Sequence, residues 1–481
     1  MSESTMQRTQ TQTQTGMLES LLALRDATRG RRTDAASTAA WIDDLRSDAL
    51  AAFREQGVPT RRLEAWKGTS FAPLEAMRFT RLGPDEPRAA TFSIPSSPER
   101  SGESAAELVF VDGRFDAPGS SLAGLPSGCR VASLAERVAA DPELLRGRLG
   151  QLTDPKRQAL VALQTAFHED GAVLVIDPGT VLSDPIQLRF LSTGGASETD
   201  ATAAFPRLLV VAGAQSQATV YQSFESLDGA AGFTAFVSEL HLAEAARIEV
   251  VEVQNEAEAR IHFSSVHARL ERDARLDSHV FSLGNGLTRS ELELNMVGPG
   301  AEARLRGLFL GREAGHVDHY TTVEHAVAHC TSDQEYRGVL GGRSRGVFRG
   351  RVLIRPDAQK TDARQSNPNL LVSEHATIDS KPQLEIYADD VRASHGSTIG
   401  QLDADALFFL RARGIGLAEA RLLLTRAFAG SIVDEVGDDR IRAEVAARVE
   451  EALKHLVVAG GTNDGNGRES SSRRPKEGGS R

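Results

Sequence analysis

Thiol groups are scarce in this sequence, since its 481 residues contain only two cysteines, Cys129 and Cys330. Two thiols are too few for a disulfide framework or for a four-thiolate metal site built from one chain. If the protein handles iron or sulfur, a second chain must therefore contribute ligands.

Several catalytic signatures are also missing. The glycine-rich stretch at residues 341–346, GGRSRG, lacks the Lys-Ser/Thr end of a phosphate loop, so we expect no ATP hydrolysis in this chain. The sequence also lacks Gly-x-Ser-x-Gly and His-Glu-x-x-His, the simplest hydrolase and zinc-protease signatures. Because acid-base carboxylates need no linear motif, a free-standing β-helix hydrolase or lyase acting through surface carboxylates stays open as the alternative.

Excess positive charge and long apolar runs are absent as well. The chain has 66 acidic and 55 basic residues and a net charge of -11, which argues against a nucleic-acid partner. The N-terminus lacks the apolar core of a signal peptide, and no stretch reaches the roughly 18 uncharged apolar residues that span a bilayer. We therefore expect a soluble, cytoplasmic protein with no membrane partner.

The composition and the hydrophobic pattern of the sequence change along the chain. Both ends are low in apolar residues and are predicted to be disordered, whereas the centre has short β-rich runs broken by Gly, Asp and Pro. The predicted order is a disordered tail (1–16), a largely helical N-terminal region (17–165), a β core (166–401), a helical C-terminal domain (402–460) and a second tail (461–481).

An Ala-x-apolar signal recurs in the β core. Its apolar residues Val220, Ile248, Leu276 and Leu305 follow one another at steps of 28, 28 and 29 residues. Such steps are typical of solenoids, in which each repeat buries its face against the next. Evenly spaced strands of a sandwich are the alternative, and the signal is lost before Ile378, where we expect an insertion or half-turn.

The C-terminal region carries helix signals. Asp403 is predicted to cap the first helix and Gly414 to end it. The predicted buried faces are Leu407, Phe408 and Leu410 in the first helix, and Ile441, Val445, Val449 and Leu453, spaced four apart, in the third.

The densest group of metal-capable side chains is His316, His319, His325, His329 and Cys330. Imidazole and thiolate suit iron or zinc. On a single strand, however, His325 and His329 would share a face that Cys330 does not. We therefore favour stacked polar residues of a solenoid over a metal site.

His395 stands apart from that group, in Arg-Ala-Ser-His-Gly between a predicted strand and a glycine-containing bend. From such a place its ring could reach a neighbouring surface. A loop histidine alone is more often a solvated group than a ligand. Lys381 precedes the predicted strand 383–387 and is interpreted as a solvated charge at an edge.

Three long motifs resemble the SufB/SufD family of iron–sulfur cluster assembly scaffolds. They are VEHAVAHCTSDQEYRGVL (323–340), RGVFRGRVLIRPDAQKTDARQSNPNLL (345–371) and DSKPQLEIYADDVRASHGSTIGQLDADALFFLRARGI (379–415). Weaker similarity covers residues 166–192 and PTRRLEAWKGTS (59–70). The segment SHGSTIG is similar to the SufD branch of the family, whereas SufB carries an EHEA-type sequence there.

The resemblance implies a right-handed parallel β-helix between helical domains. It also implies a complex with a SufB-like subunit, paired through the β-helix, and with a SufC-like ATPase, docked on the C-terminal helices. His395 matches the family's interface histidine, which is implicated in cluster building together with a cysteine of SufB. Many relatives have a cysteine two residues earlier, where this chain has Ala393.

Cys330 matches a cysteine of the family's EHxxxxC stretch and is a candidate site residue. The implied role is a non-catalytic scaffold that supports nascent iron–sulfur clusters at the SufB interface, driven by the SufC ATPase. No cofactor is expected to bind stably, and iron or a cluster would be held transiently, with His395 as a ligand shared with the partner. Homodimer formation without the partner is left open.

Overall fold

The computed structural model describes residues 16–27, 39–82, 106–194 and 201–461. The predicted tails, 1–16 and 461–481, lie outside these ranges apart from their inner end residues. The helices of the described ranges are α1 (residues 16–27), α2 (Ala40–Gln56), α3 (Ala72–Ala76), α4 (Leu134–Ala140), α5 (Ala159–Phe167), α6 (Ala404–Arg411), α7 (Leu417–Val433) and α8 (Asp439–Gly461).

The strands form two long sheets. Sheet A contains β1 (Phe79–Leu82), β4 (Cys129–Ser133), β5 (Gly171–Ile176), β7 (Ala201–Ala204), β8 (Arg207–Ala212), β10 (Gly232–Leu242), β12 (Arg260–Leu270), β14 (Leu287–Met296), β16 (His316–His325), β18 (Arg345–Ile354) and β20 (Thr377–Ile386). Sheet B contains β2 (Ala106–Val111), β3 (Arg114–Phe115), β6 (Ile186–Ser192), β9 (Gln217–Ser226), β11 (Arg247–Asn255), β13 (Arg275–Ser282), β15 (Glu302–Gly311), β17 (Thr331–Leu340), β19 (Asp362–Leu371) and β21 (Arg392–Gly400).

From β8 to β21 the chain alternates between the two sheets. Each strand pairs in parallel with the strand two positions along the chain, as β10 does with β12 and β11 with β13. This winding is a parallel β-solenoid, so the predicted fold class is confirmed. An immunoglobulin-like sandwich would pair its strands antiparallel.

The repeat continues through the region where the sequence signal is lost. Residues that lie opposite one another in successive strands of a sheet form a column. Val220 lies opposite Val250 rather than Ile248, and Leu276 lies opposite Ala303 rather than Leu305. Two of the three predicted steps are therefore out of register by two residues. No insertion lies there, and the half-turn accounts for the lost signal, because Ile378 belongs to sheet A whereas the column of Leu305 continues on sheet B into polar residues. At intervals of 27 to 31 residues, this column contains Val220, Val250, Ser278, Leu305, Gln334, Gln365 and His395.

The corners of the solenoid have a repeated backbone conformation. A residue with positive φ lies two positions before each sheet B strand from β9 to β19, and such a conformation turns the chain tightly into the next strand. Side-chain identity varies at these corners, so the sequence alone does not mark them. The residues are Gln215, Ala245, Asp273, Gly300, His329 and Lys360.

The interior is filled by side chains that alternate along each strand. Phe190 stacks on Phe110 and on Phe224 with ring centroids 5.0 and 4.7 Å apart, so aromatic rings are stacked from turn to turn. Such contacts extend a hydrophobic core along the axis, because each turn covers the one before it.

Helices cover the outside of both sheets. Helices α2 and α5 pack with residues of sheet A in one apolar cluster, whereas α7 and α8 pack on sheet B in another. Strands β1 to β4 precede residue 166 and join the sheets, so the first strands are interleaved with the N-terminal helices. In α8 the predicted face is confirmed, since its four residues are all buried: Ile441, Val445, Val449 and Leu453.

Candidate functional site

His395 lies within β21, the outermost strand of sheet B, and not between a strand and a bend as the sequence suggested. It is in register with Gln365 of β19, so both side chains point to the same side of the sheet, the solenoid interior. Gln365 is buried, whereas His395 is exposed because no strand of the described chain pairs with the outer edge of β21. The histidine is therefore an interior residue of a turn that is left uncovered.

Strand β20 is the outermost strand of sheet A, so among the strands that the structure describes, one end of the solenoid has two free edges. We call the surface formed by residues 377–400 the open end. Three large apolar side chains are exposed there, with exposed fractions of 43% for Ile386, 62% for Tyr387 and 55% for Ile399. Free edges next to exposed apolar groups are what a further β-strand chain could cover.

Polar side chains fill the column beneath His395. The Thr321 hydroxyl donates to Gln334 Oε1 at 2.9 Å, and Gln365 Nε2 donates to the same oxygen at 3.3 Å. Both glutamines are buried. The column thus changes from aliphatic to amide groups before it ends at an exposed imidazole, which in its neutral form can ligate a metal.

Cys330 lies at the turn before β17 and is fully buried. Its Sγ donates to the Gly298 carbonyl at 3.4 Å, and burial raises the pKa of the thiol, which disfavours the thiolate that binds metals and attacks sulfur. Gln334 of β17 lies in the column of His395, two turns below it. Cys330 precedes Gln334 by four residues, so it is also displaced along the strand direction from His395. The structure does not bring these two residues together, and a role for Cys330 stays a prediction.

The histidine-rich segment does not converge on one point. His316 faces outward, His319 and His325 face the interior, and each lies 2.9 to 3.1 Å from a serine or threonine hydroxyl. Burial lowers the pKa of each of these three rings to about 4. His329 lies in a turn rather than on a strand, and no cluster of three or more metal-ligating side chains occurs among the described residues. The favoured interpretation as stacked polar residues fits this arrangement.

Helix α6 departs from the sequence prediction. Asp403 caps it as predicted, with Oδ1 accepting from the Ala406 N–H at 2.8 Å. The predicted buried stripe is wrong, because Phe408 is 74% exposed and none of the residues of α6 is buried. Phe409 is 53% exposed, so two neighbouring aromatic rings face solvent on one short helix.

The α7–α8 pair, in contrast, is anchored to sheet B by ion pairs. Arg306 Nε lies 2.6 Å from a carboxylate oxygen of Glu435, in the connection between the two helices, and Arg448 Nη2 of α8 lies 2.9 Å from one of Glu225. Arg306 is buried at this contact, so the pair is shielded from solvent more than a surface pair would be. The α7–α8 pair is thus a fixed base, and α6 lies outside it.

Comparison with known proteins identifies the fold's relatives. The model of the SUF system FeS cluster assembly SufBD core domain matches residues 193–428, and that of the SufBD protein N-terminal region matches residues 27–188. The chain is 30% identical over 401 residues to the iron-sulfur cluster assembly protein SufD of Escherichia coli, covering 82% of this chain and 90% of that protein. It is 32% identical over 405 residues to an iron-sulfur cluster assembly SufBD family protein of Synechocystis, covering 81% and 86%.

The chain belongs to the SufB/SufD family. A SufD protein of Bacillus subtilis is a more distant relative, 26% identical over 301 residues, covering 61% of this chain and 67% of that protein. The predicted family is confirmed, and two of these relatives carry the name of the SufD branch that the segment around His395 predicted. Iron–sulfur cluster assembly is the shared process of the SufB/SufD family.

Several residues at and below the open end of this SufB/SufD-family chain were not predicted from the sequence. It placed Lys381 before a strand, whereas Lys381 lies inside β20. It did not identify Gln334 and Gln365 as residues below His395, because a search for apolar repeats passes over glutamine. The periodic positions of the ladder are the signal that could have found them.

The described helices include none that is both long enough and apolar enough to cross a membrane.

Proposed function

We propose that this chain is a non-catalytic scaffold subunit of the SufD type. In this proposal it pairs with a SufB-like subunit, nascent iron–sulfur clusters are assembled at their interface, and a SufC-like ATPase drives the process. Family membership and similarity to a protein named for cluster assembly support the proposal. The cytoplasm is the proposed compartment.

One observation carries the proposal: the solenoid ends with two free strand edges and an exposed histidine in the interior column. Solenoid repeats are stabilised by their neighbours, and terminal repeats normally have a polar capping face. Here the last turn instead exposes Ile386, Tyr387 and Ile399. A second solenoid that pairs with β20 and β21 would cover these groups and place His395 at the seam. A second copy of this chain is the proposed occupant only when that partner is missing.

Iron, sulfide and the growing cluster are cargo in this proposal. An imidazole nitrogen of His395 can bind iron, and the partner chain supplies the thiolate, because Ala393 takes the place of a nearby cysteine. Binding to this chain is transient, because His395 supplies only one of the four ligands that a four-coordinate site needs. Cys330 is kept as a candidate whose thiol needs a rearrangement of its turn before it can react.

The exposed rings of α6 are the proposed contact for the ATPase. Phe408 and Phe409 lie on a helix that starts four residues after β21 ends, next to the anchored α7–α8 pair. Adjacent exposed aromatic residues are typical of interaction sites. ATP chemistry then belongs to the partner, in agreement with the missing phosphate loop.

The direct test replaces His395 with alanine in the purified complex. We expect cluster formation, measured by visible absorbance and by transfer to an apo-ferredoxin, to fall at least tenfold. Native mass spectrometry should show unchanged subunits. His375→Ala is the matched control, because His375 is also an exposed histidine at this end of the solenoid, and it should assemble clusters normally. A normal cluster yield from His395→Ala would refute the site assignment.

A further inference from the structure

The loop Glu64–Thr69, which we call the clasp loop, crosses the outer face of sheet A. It contacts four strands that follow one another in the sheet: β14, β16, β18 and β20. These strands belong to four successive turns of the solenoid. A single short loop thus connects the outermost strand β20 with a strand three turns below it.

The inner part of the clasp loop is anchored by a buried arginine. Arg289 of β14 is fully buried, and its guanidinium lies 3.9 Å from the centre of the Trp66 ring. It also donates to Glu291 at 2.7 Å, to Asp318 and to the Ala65 carbonyl at 3.1 Å. A buried cation with this many partners fixes both the loop and the strand.

The hydroxyl of Thr69 at the end of the loop donates to the Asp318 carboxylate and lies 2.9 Å from His316 Nε2. Both partners are on β16. The loop is therefore fastened at its tryptophan and at its threonine, and the intervening Lys67 and Gly68 are held between them.

The other part of the clasp loop reaches the open end. Glu64 Oε1 lies 2.5 Å from Lys381 Nζ on β20, and the Glu64 carbonyl accepts from the Arg349 guanidinium on β18. A Cβ atom at Gly68 would lie 3.0 Å from the Val347 side chain and 3.5 Å from the Asp379 carboxylate, so the loop backbone lies close to β20 a second time.

A solenoid couples its turns mainly to their nearest neighbours, so an uncovered last turn is its weakest part. The clasp loop departs from that rule, because it joins the last strand of sheet A directly to a buried anchor three turns away. We infer that the clasp loop is a positioning element that holds β20 in place for pairing with a partner solenoid, with Glu64 and Lys381 as its joint. This inference rests on the proposed function for its purpose, although the clasp itself can be tested on the isolated chain.

The test uses charge reversal at the joint. In Glu64→Lys, a cation lies beside both Lys381 and Arg349, and we expect amide hydrogen exchange in β20 to accelerate about tenfold while β15 is unchanged. The double variant Glu64→Lys with Lys381→Glu restores an opposite-charge pair and should recover most of the protection. Glu55→Lys, a reversal of an exposed carboxylate on α2, is the matched control and should leave β20 as in the parent.

The second measurement is the affinity for a SufB-like partner chain, by titration of the purified proteins. Glu64→Lys should bind about tenfold more weakly and the double variant nearly as well as the parent. Unchanged exchange in β20 would overturn the clasp. Faster exchange with unchanged affinity would overturn its positioning role. If the parent chain binds no solenoid partner at all, the proposed function fails, while the exchange data still decide whether the clasp exists.

Discussion

The inner turns of the solenoid and its last turn have the same strand pattern but opposite exposure. Phe309 and Phe348 face the interior and are fully buried, whereas Ile386 and Ile399 on the outermost strands are 43% and 55% exposed. Alternation along the strands is the same in both, so the difference comes only from the presence of a covering turn. The strands of the last turn are therefore patterned like the inner ones, and their exposed apolar groups are those that the proposed partner solenoid would cover.

The largest expected effect comes from two matched truncations in the interior columns. Phe224→Ala removes a fully buried ring from an inner turn and should lower the free energy of unfolding by about 4 kcal/mol. Ile399→Ala on the last turn should lower it by less than about 1 kcal/mol, because Ile399 is already 55% exposed. Urea denaturation of the two variants measures the contrast. Equal losses would mean that the open end is covered in solution by another copy or by the chain itself.

A second comparison contrasts a buried ion pair with an exposed one. Arg289→Ala leaves the carboxylates of Glu291 and Asp318 buried without their cation, and we expect a loss of about 3 kcal/mol, at the low end of the usual range because Asp318 keeps the Thr69 hydroxyl. Arg269→Ala removes an exposed partner of Glu271 and should cost less than about 1 kcal/mol. Urea titrations of both variants provide the test, and similar losses would show that Arg289 is not an anchor.

The buried histidines should make the inner turns sensitive to acid. Burial lowers the pKa of His319 and His325 to about 4, whereas the unfolded chain takes up these protons near pH 6.5. The unfolded state therefore binds more protons between these values, and each histidine removes about 2 kcal/mol of stability as the pH falls from 7.5 to 5.

In His319→Gln, the loss of unfolding free energy between pH 7.5 and pH 5, measured by urea titration, should be smaller by about 2 kcal/mol. His455→Gln, at an exposed histidine on α8, is the control for the substitution itself. An unaltered slope in His319→Gln would show that the ring is solvated in the folded chain.

A small effect on stability is also expected at α6. Phe408→Ser with Phe409→Ser should lower the free energy of unfolding by less than about 1 kcal/mol, because both rings are more than half exposed and only Phe409 loses a contact, with the Arg413 guanidinium over its ring. The same double variant should reduce binding to a SufC-like ATPase at least tenfold in a titration. Val181→Ser, at an exposed apolar residue elsewhere on the surface, is the control. Normal ATPase binding by the double variant would place the docking site on another surface.

The fold was largely predictable because each turn of a solenoid repeats a similar pattern of apolar residues at a nearly constant spacing. The spacing near 28 residues predicted the solenoid, and the four-residue spacing in α8 predicted its buried face. Both patterns are regular spacings of apolar residues, which can be recognised in the sequence. The register was harder, because Ile248 and Val250 point to the same side and either fits the apolar rule. Beyond Leu305 the interior positions become Gln334 and Gln365, and a search for apolar residues stops there.

The site was only partly predictable. His395 was identified by resemblance and by its residue type. Its place inside a strand depends on the pairing of β21 with β19, which is a contact between separate segments that no local pattern shows. The stripe on α6 has the spacing of a buried face, and only tertiary structure shows that nothing in the described chain covers Phe408. The clasp loop joins Glu64 to Lys381 over a long separation along the chain, which no local pattern reports.

The most direct test of the scaffold role is native mass spectrometry of the tagged chain purified after co-expression with its genomic neighbours. We expect a stable species that contains this chain, a second solenoid chain and an ATPase, with the second solenoid lost when Glu64→Lys and Ile399→Asp are combined. A clean monomer or homodimer without an ATPase would contradict the scaffold role and would favour a free-standing β-helix enzyme that acts through surface carboxylates.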